Sequence, residues 1–334
     1  MNAKERVLKR LEGQPVDRVP NFNLFMTFAA HYINEPLSKY YQDYNVLVNA
    51  NLAMVENFNV DIMQTISDPY RETHDWGAKI EFPYDDLPTN KILLLEEPEK
   101  IKNLIKPKPS EGKRMSDRLA AISKMKDICR NDMMILGWIE GSFAEAGDLR
   151  GISNTLTDIY ERPEWLSDLL EMITEVEIEF AKNQIEAGAD IIGVGDAIAS
   201  QVSPDLYKTF ILPYEKRIIE EIHKMGAFAR LHICGDITAN LPDMISTKAD
   251  IIDVDWMVDL NSISKLYGEE VSFCGNFDPV KVMLQGTPDL VYDETVRCLS
   301  EGGNKSFSGA GCEIPDNSPH ENLIAQNKAL QNNK

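Results

Sequence analysis

A chain of 334 residues, 43% hydrophobic and 26% charged, is long enough to bury one large core. Its formal net charge of −20 argues against a nucleic-acid partner, which would have to approach against like-charge repulsion. No apolar run approaches the roughly 18 residues of a membrane span, so a membrane is not an expected partner either.

The opening "MNAKERVLKRLEGQPVDRVP" mixes both signs of charge with no apolar stretch behind it. It reads as a helical extension over about 1–18 and not as an export signal, which makes the cytoplasm the expected location. Five cysteines, an odd number, fit reduced thiols that are free to serve as ligands or nucleophiles. "DRVPNFNLF" and "VDIMQTISD" read as short strands, and "LSKYYQDYNVLVNANLAMVENF" between them carries apolar residues at helical spacing. A polar, proline-bearing stretch at about 103–117 reads as a connection. Beyond it the alternation is regular: strand "MMILGWIEG", helices through "TLTDIYERPEWLSDLLEMITEVEIEFAKNQIEAG", strand "ADIIGVGDA", helix "SPDLYKTFILPYEKRIIEEIHKMG" and strand "AFARLHICGD". Helix "ITANLPDMIST", strand "ADIIDVDW", the turn "LNSISKLYG", strand "VSFCGNFDP", helix "TPDLVYDETVRCLSEGG" and strand "KSFSGAGC" follow, before a last helix that opens at "SPHEN". About eight strand candidates alternating with helices predict an α/β chain folded as one (β/α)8 TIM barrel over residues 1–334. No G-x-G-x-x-G run follows the first strand, which removes the usual signal of a dinucleotide site.

Barrels of this kind take their catalytic groups from the C-terminal ends of the strands. The polar residues at those positions are Asp68, Glu140, Asp196, His232, Cys234, Asp255, Asn276, Asp278 and Cys312. Any one strand-end aspartate is ordinarily a helix cap or a loop anchor; their coincidence on one face is the stronger observation. On a strand, residues i and i+2 point the same way, so His232 and Cys234 can share an ion, and Cys312 after the last strand can return to them. One imidazole and two thiolates in the pattern H-x-C-x77-C suit tetrahedral Zn²⁺, and three protein ligands leave a position open, as in catalytic zinc sites. The ordinary reading, in which buried cysteines are small hydrophobes, is kept for Cys129, Cys274 and Cys298. Asp255 is a candidate fourth ligand or a residue that orients one. Asp68, Tyr70, Glu140, Asp196 and Asn276 are candidates for contact with substrate or cofactor.

At "LHICGDIT", "FCGNFDP" and "GAGCEIPDNSPHENLIA" the chain resembles the uroporphyrinogen decarboxylase superfamily, and within it the zinc-dependent methyltransferases that use methylcobamide. The resemblance starts at "RLEGQPVDRVP" and is most specific at His232, Cys234 and Cys312, which match that subfamily's H-x-C…C zinc motif. True decarboxylases carry an arginine-rich stretch near the N-terminus for the carboxylates of their tetrapyrrole; "NFNLFMTFAAHYINEP" here has no arginine. The resemblance implies a corrinoid-dependent methyltransferase in which zinc activates a thiol such as coenzyme M, and a separate corrinoid-carrying protein presents the methylcobamide. Transfer in the opposite direction, from a methylated substrate such as a methyl ether to Co(I), uses the same ligands and stays open. Tetrapyrrole decarboxylation, which leaves the three ligands unexplained, is the reading from another reaction class. A non-enzymatic corrinoid-binding module would close its zinc with four protein ligands. The acidic balance weighs against an anionic thiol unless a local basic pocket exists, for which Arg71, Lys79 and Arg150 are the available cations. The oligomeric state, a homodimer included, stays open.

Overall fold

The computed structural model describes residues 1–333, and its strands follow the apolar runs of the sequence. They are β1 (Ile62–Gln64), β2 (Ile80–Glu81), β3 (Thr89–Asn90), β4 (Met134–Glu140), β5 (Ile191–Gly195), β6 (Phe228–His232), β7 (Ile251–Val254), β8 (Ser272–Phe277) and β9 (Phe307–Ala310). Seven form one parallel sheet in the order β1-β4-β5-β6-β7-β8-β9, and β2 pairs with β3 as a separate antiparallel ribbon. All residues of β4, β5, β7 and β8 are buried, as parallel strands covered by helices on one side and by the barrel core on the other must be.

A short eighth stave closes the ring. Asn21 bridges Ser308 of β9 in parallel, and the Phe22 N–H donates to the Ser308 carbonyl at 2.8 Å. On its other side the Asp61 N–H donates to the Asn21 carbonyl at 3.0 Å, just ahead of β1. The strand read in "DRVPNFNLF" is this stave, and the eight-stranded barrel agrees with the sequence pattern. Buried apolar side chains from Val7 to Ala325 form one cluster. No helix among the described residues is long and apolar enough to cross a membrane.

Two boundaries differ from the reading of the sequence. The first helix is Ala3–Leu11, capped by the Asn2 side chain on the Glu5 N–H, and it stops well before residue 18. Gly13 at φ +69° turns the chain and Pro15 cannot continue a helix. The polar stretch at 103–117 ends early as well, because Lys113–Cys129 is a helix with Arg114, Met115 and Arg118 buried. Its charged first turn looks like a linker in sequence, but Arg114 is drawn inward by an ion pair with Asp68.

The register brings the strand ends level. Glu140 of β4 lies opposite Gly195 of β5, which lies opposite His232 of β6. A side chain at Gly193 or Gly195 would collide with Trp138, so the two glycines make room for that indole inside the barrel, directly below the site.

Candidate functional site

His232 is the last residue of β6, and Cys234 stands in the loop beyond it. Strand alternation therefore does not bring this pair together. The loop does, turning at Gly235 with φ +90°. Cys312 arrives from the loop after β9, where Gly311 lets the backbone pass Asp255; any side chain there would run into that carboxylate. The His232 Nε2 is 3.0 Å from the Cys234 Sγ, the two sulfurs are 3.5 Å apart, and the Cys312 Sγ is 3.9 Å from Nε2. These are the one group of three ligand-type side chains brought within 4.8 Å of one another among the described residues.

The imidazole is held from behind. Its Nδ1 pairs with the Asp253 Oδ2 at 2.7 Å, and Arg230 Nε donates to the same carboxylate at 2.9 Å. A proton on Nδ1 leaves the Nε2 lone pair facing the thiols. The Trp138 ring meets the imidazole edge-on at 5.9 Å. Burial disfavours the charged imidazolium, but the adjacent Cys234 sulfur and the Asp253 hydrogen bond outweigh it and hold the His232 pKa well above its ordinary value. The thiols titrate as a pair: the hydrogen bond from Cys234, then that from His232, pulls Cys312 down to about 4, and the same shared proton together with burial pushes Cys234 up.

A cavity of about 360 Å³ opens over the cluster. Leu24, Met26, Ile66, Leu87, Pro88 and Trp138 supply apolar wall, and Tyr41, Asp68, Tyr70, Glu140 and Glu313 supply polar atoms. Of the residues singled out from sequence, Asp68, Tyr70 and Glu140 thus reach the same cavity as His232, Cys234 and Cys312. Asp68 is ion-paired to Arg114 at 2.6 Å, and Glu140 to Arg71 at 2.8 Å. Burial raises the Glu140 pKa to about 8 even though the Arg71 charge opposes the shift.

Three of the predicted residues face elsewhere. Asp196 turns back to accept the Ala144 N–H at 2.8 Å, anchoring the start of helix Ser142–Arg150. Asn276 donates to the Val258 carbonyl at 2.7 Å and accepts from Arg297, on the outer side of the strand end. Asp255 lies outside the three-residue cluster: its carboxylate accepts the Gly235 N–H at 3.0 Å and the Trp256 N–H at 2.8 Å and ties the two loops together. Asp278 likewise caps its own turn through the Val280 and Lys281 N–H groups. The last helix begins at His320 with Pro319 in the cap position, while the Ser318 hydroxyl bonds back to Pro315.

Asp253, Glu313 and Tyr41 were not singled out from sequence. Asp253 carried a signal, because a charged residue inside the otherwise apolar "IIDV" demands buried partners. Tyr41 sits on an ordinary amphipathic helix, and nothing local marks Glu313 beyond its place next to Cys312.

The chain is similar to known proteins over nearly its whole length. The sequence model of the family described as "Uroporphyrinogen decarboxylase (URO-D)" matches residues 2–332. Methylcobamide:CoM methyltransferase MtbA of Methanosarcina acetivorans is 26% identical over 343 residues, covering 99% of this chain and 98% of that protein. The uroporphyrinogen decarboxylase of Aquifex aeolicus is 22% identical over 314 residues, covering 90% and 88%. Among solved structures, a methyltransferase from Methanosarcina mazei superposes with a TM-score of 0.90 at 22% identity over 99% of both chains, a likeness of fold.

Proposed function

The chain belongs to the uroporphyrinogen decarboxylase (URO-D) family, and on that premise we propose that it is a zinc-dependent methyltransferase, moving a methyl group between a corrinoid and the sulfur of a small molecule. The observation that carries this reading is the convergence of His232, Cys234 and Cys312 on the floor of the cavity. Its relatives named methylcobamide:CoM methyltransferases, matched over nearly the whole chain, support the corrinoid as co-substrate. A corrinoid-carrying protein is the expected partner.

The donor set fits zinc. Ligand atoms about 2.0–2.3 Å from a tetrahedral ion lie roughly 3.4–3.8 Å from one another. The separations of 3.0, 3.5 and 3.9 Å bracket that range, so small side-chain shifts suffice. His232 through Nε2, Cys234 and Cys312 would hold the ion, and Asp253 would fix the imidazole behind it, as a carboxylate commonly does for a histidine ligand. Bound there with one position open, zinc would supply Lewis acidity that favours the thiolate form of an incoming thiol.

The chain's own residues perform the rest. The Arg230–Asp253 pair holds the ring, the apolar wall excludes water, and the 360 Å³ volume accommodates a small molecule. Among the described residues the cavity lining contains no lysine or arginine, which a substrate with several carboxylates would require. Methyl transfer to sulfur forms the carbon–sulfur bond as the carbon–cobalt bond breaks, with the electron pair left on the co-substrate's cobalt.

Metal analysis of the purified chain beside His232→Ala, Cys234→Ala and Cys312→Ala is the test. About one zinc per chain, lost in the variants, is expected; full retention in all three refutes the site. The visible spectrum of methylcobalamin, followed with and without a thiol, then reports the transfer itself.

A further inference from the structure

Among the described residues, the cavity presents no lysine or arginine to an incoming molecule, and its lining includes Asp68, Glu140 and Glu313. Three guanidiniums lie behind the wall, each ion-paired to a carboxylate, and Arg118 holds Asp117 and the Tyr41 carbonyl. Arg71, fully buried, holds Glu140 at 2.8 Å and the Asp68 carbonyl. Arg114, 1% exposed, holds Asp68 at 2.6 Å. The other two cations considered from sequence are no nearer to serving. Lys79 is exposed and outside the lining, and Arg150 is bound to Asp158 at 2.7 Å and to the Leu95 and Glu96 carbonyls.

Carboxyls face the guanidiniums behind this wall, and none of the guanidiniums lines the cavity. Asp68, Glu72 and Glu140 surround two guanidiniums, and Glu313 adds a carboxyl whose partners are the Thr27 N–H at 2.9 Å and the Thr27 hydroxyl at 3.0 Å. Among the side chains that line the cavity, the Tyr41 hydroxyl is buried and without a hydrogen-bond partner, and it is neutral. Tyr41, Tyr70 and Trp138 present aromatic surface, which accepts apolar groups and cations and repels anions at its faces.

We propose that the small-molecule substrate of this site carries no anionic group: it is a neutral or cationic, largely apolar thiol or its methylated form. An anionic headgroup would leave water for a pocket whose lining, among the described residues, offers it no lysine or arginine, an exchange with no compensating partner. The inference rests on the methyl-transfer reading for the sulfur and on the cavity's charge for the rest of the molecule.

The test separates the two. The zinc-loaded full chain is titrated calorimetrically with 2-mercaptoethanol, cysteamine, 3-mercaptopropionate and 2-mercaptoethanesulfonate. The neutral and cationic thiols are expected to bind at least about tenfold more tightly than the two anions. Equal or tighter binding of the anions overturns the inference, and so does failure of every thiol to bind. Leu87→Lys places a cation at the cavity mouth, where residue 87 is 58% exposed and the longer side chain is tolerated. It should raise the affinity for the sulfonate relative to that for 2-mercaptoethanol, and an unaltered ratio of the two affinities counts against the charge argument. Turnover of methylcobalamin with the tightest-binding thiol is measured separately. The expected binding order without turnover refutes methyl transfer to thiols and leaves the charge selectivity standing.

Discussion

The wall of the cavity built by β6 and the loop after β9 handles its polar groups differently from the wall built by β1 and β4. On the first, one imidazole nitrogen and two sulfurs point at each other over 3.0–3.9 Å, with their remaining bonding capacity turned to the cavity. On the second, Arg71 and Arg114 neutralise Glu140 and Asp68 within 3 Å, and little is left for a ligand. The difference separates a wall arranged to bind an ion from one arranged to close on itself. A buried charge is tolerated when paired, whereas a ligand set is useful only when it is not.

The comparison is broken most severely from the sulfur side. Cys312→Ala should bring zinc stoichiometry from about one per chain close to zero, since two ligands rarely retain the ion, while circular dichroism stays that of the folded chain. On the other wall, Arg71→Met should cost about 3–5 kcal/mol in chemical denaturation, because Glu140 and Glu72 stay buried without their cation. Unchanged stability would mean that those carboxyls take up protons at no cost. Asp253→Ala removes the support of the histidine without touching the sulfurs, and a 10- to 100-fold weaker zinc affinity is expected in competition with a chelator. A smaller effect would assign the orientation of the ring to Trp138 packing.

The subtlest test concerns Glu177, buried behind the carboxylate wall with neither oxygen hydrogen-bonded. Burial raises its pKa well above the ordinary 4.5, so between that value and its folded pKa the native chain keeps a proton that the unfolded chain has lost. Stability therefore falls as pH rises through that window, by up to about 1.4 kcal/mol per pH unit. Glu177→Gln should flatten the decline, seen as a smaller drop in Tm between pH 5 and pH 8. Parallel pH profiles for the two proteins would show that the carboxyl is ionised in the fold.

The barrel was legible because parallel strands and their helices leave separate marks: β5, read in "ADIIGVGDA", and helix Pro163–Ala187 carry unmistakable periods. The three-residue cluster was legible because thiols and imidazoles are rare side chains, and their spacing stands out without knowledge of geometry. The aspartates were harder. Asp68 and Asp255 both follow a strand, yet one lines the cavity and the other holds the Gly235 and Trp256 amides. The choice is made by which unpaired N–H groups the tertiary fold leaves nearby, and no local pattern records it. Arg71 illustrates the same limit: its charge was visible, but its capture by Glu140, 69 positions away, was not.

The short stave at Asn21 has a consequence for synthesis. It bonds to Ser308 on one side and accepts the Asp61 N–H on the other, while Arg10 reaches the Ser306 carbonyl. A nascent chain therefore carries two unsatisfied rims, at β1's end of the sheet and along the most recently formed strand, until residues near 308 have left the ribosome. The segment around Asn21 must wait for the segment around Ser308 before either can be sealed, and the same late event delivers Cys312 to the imidazole.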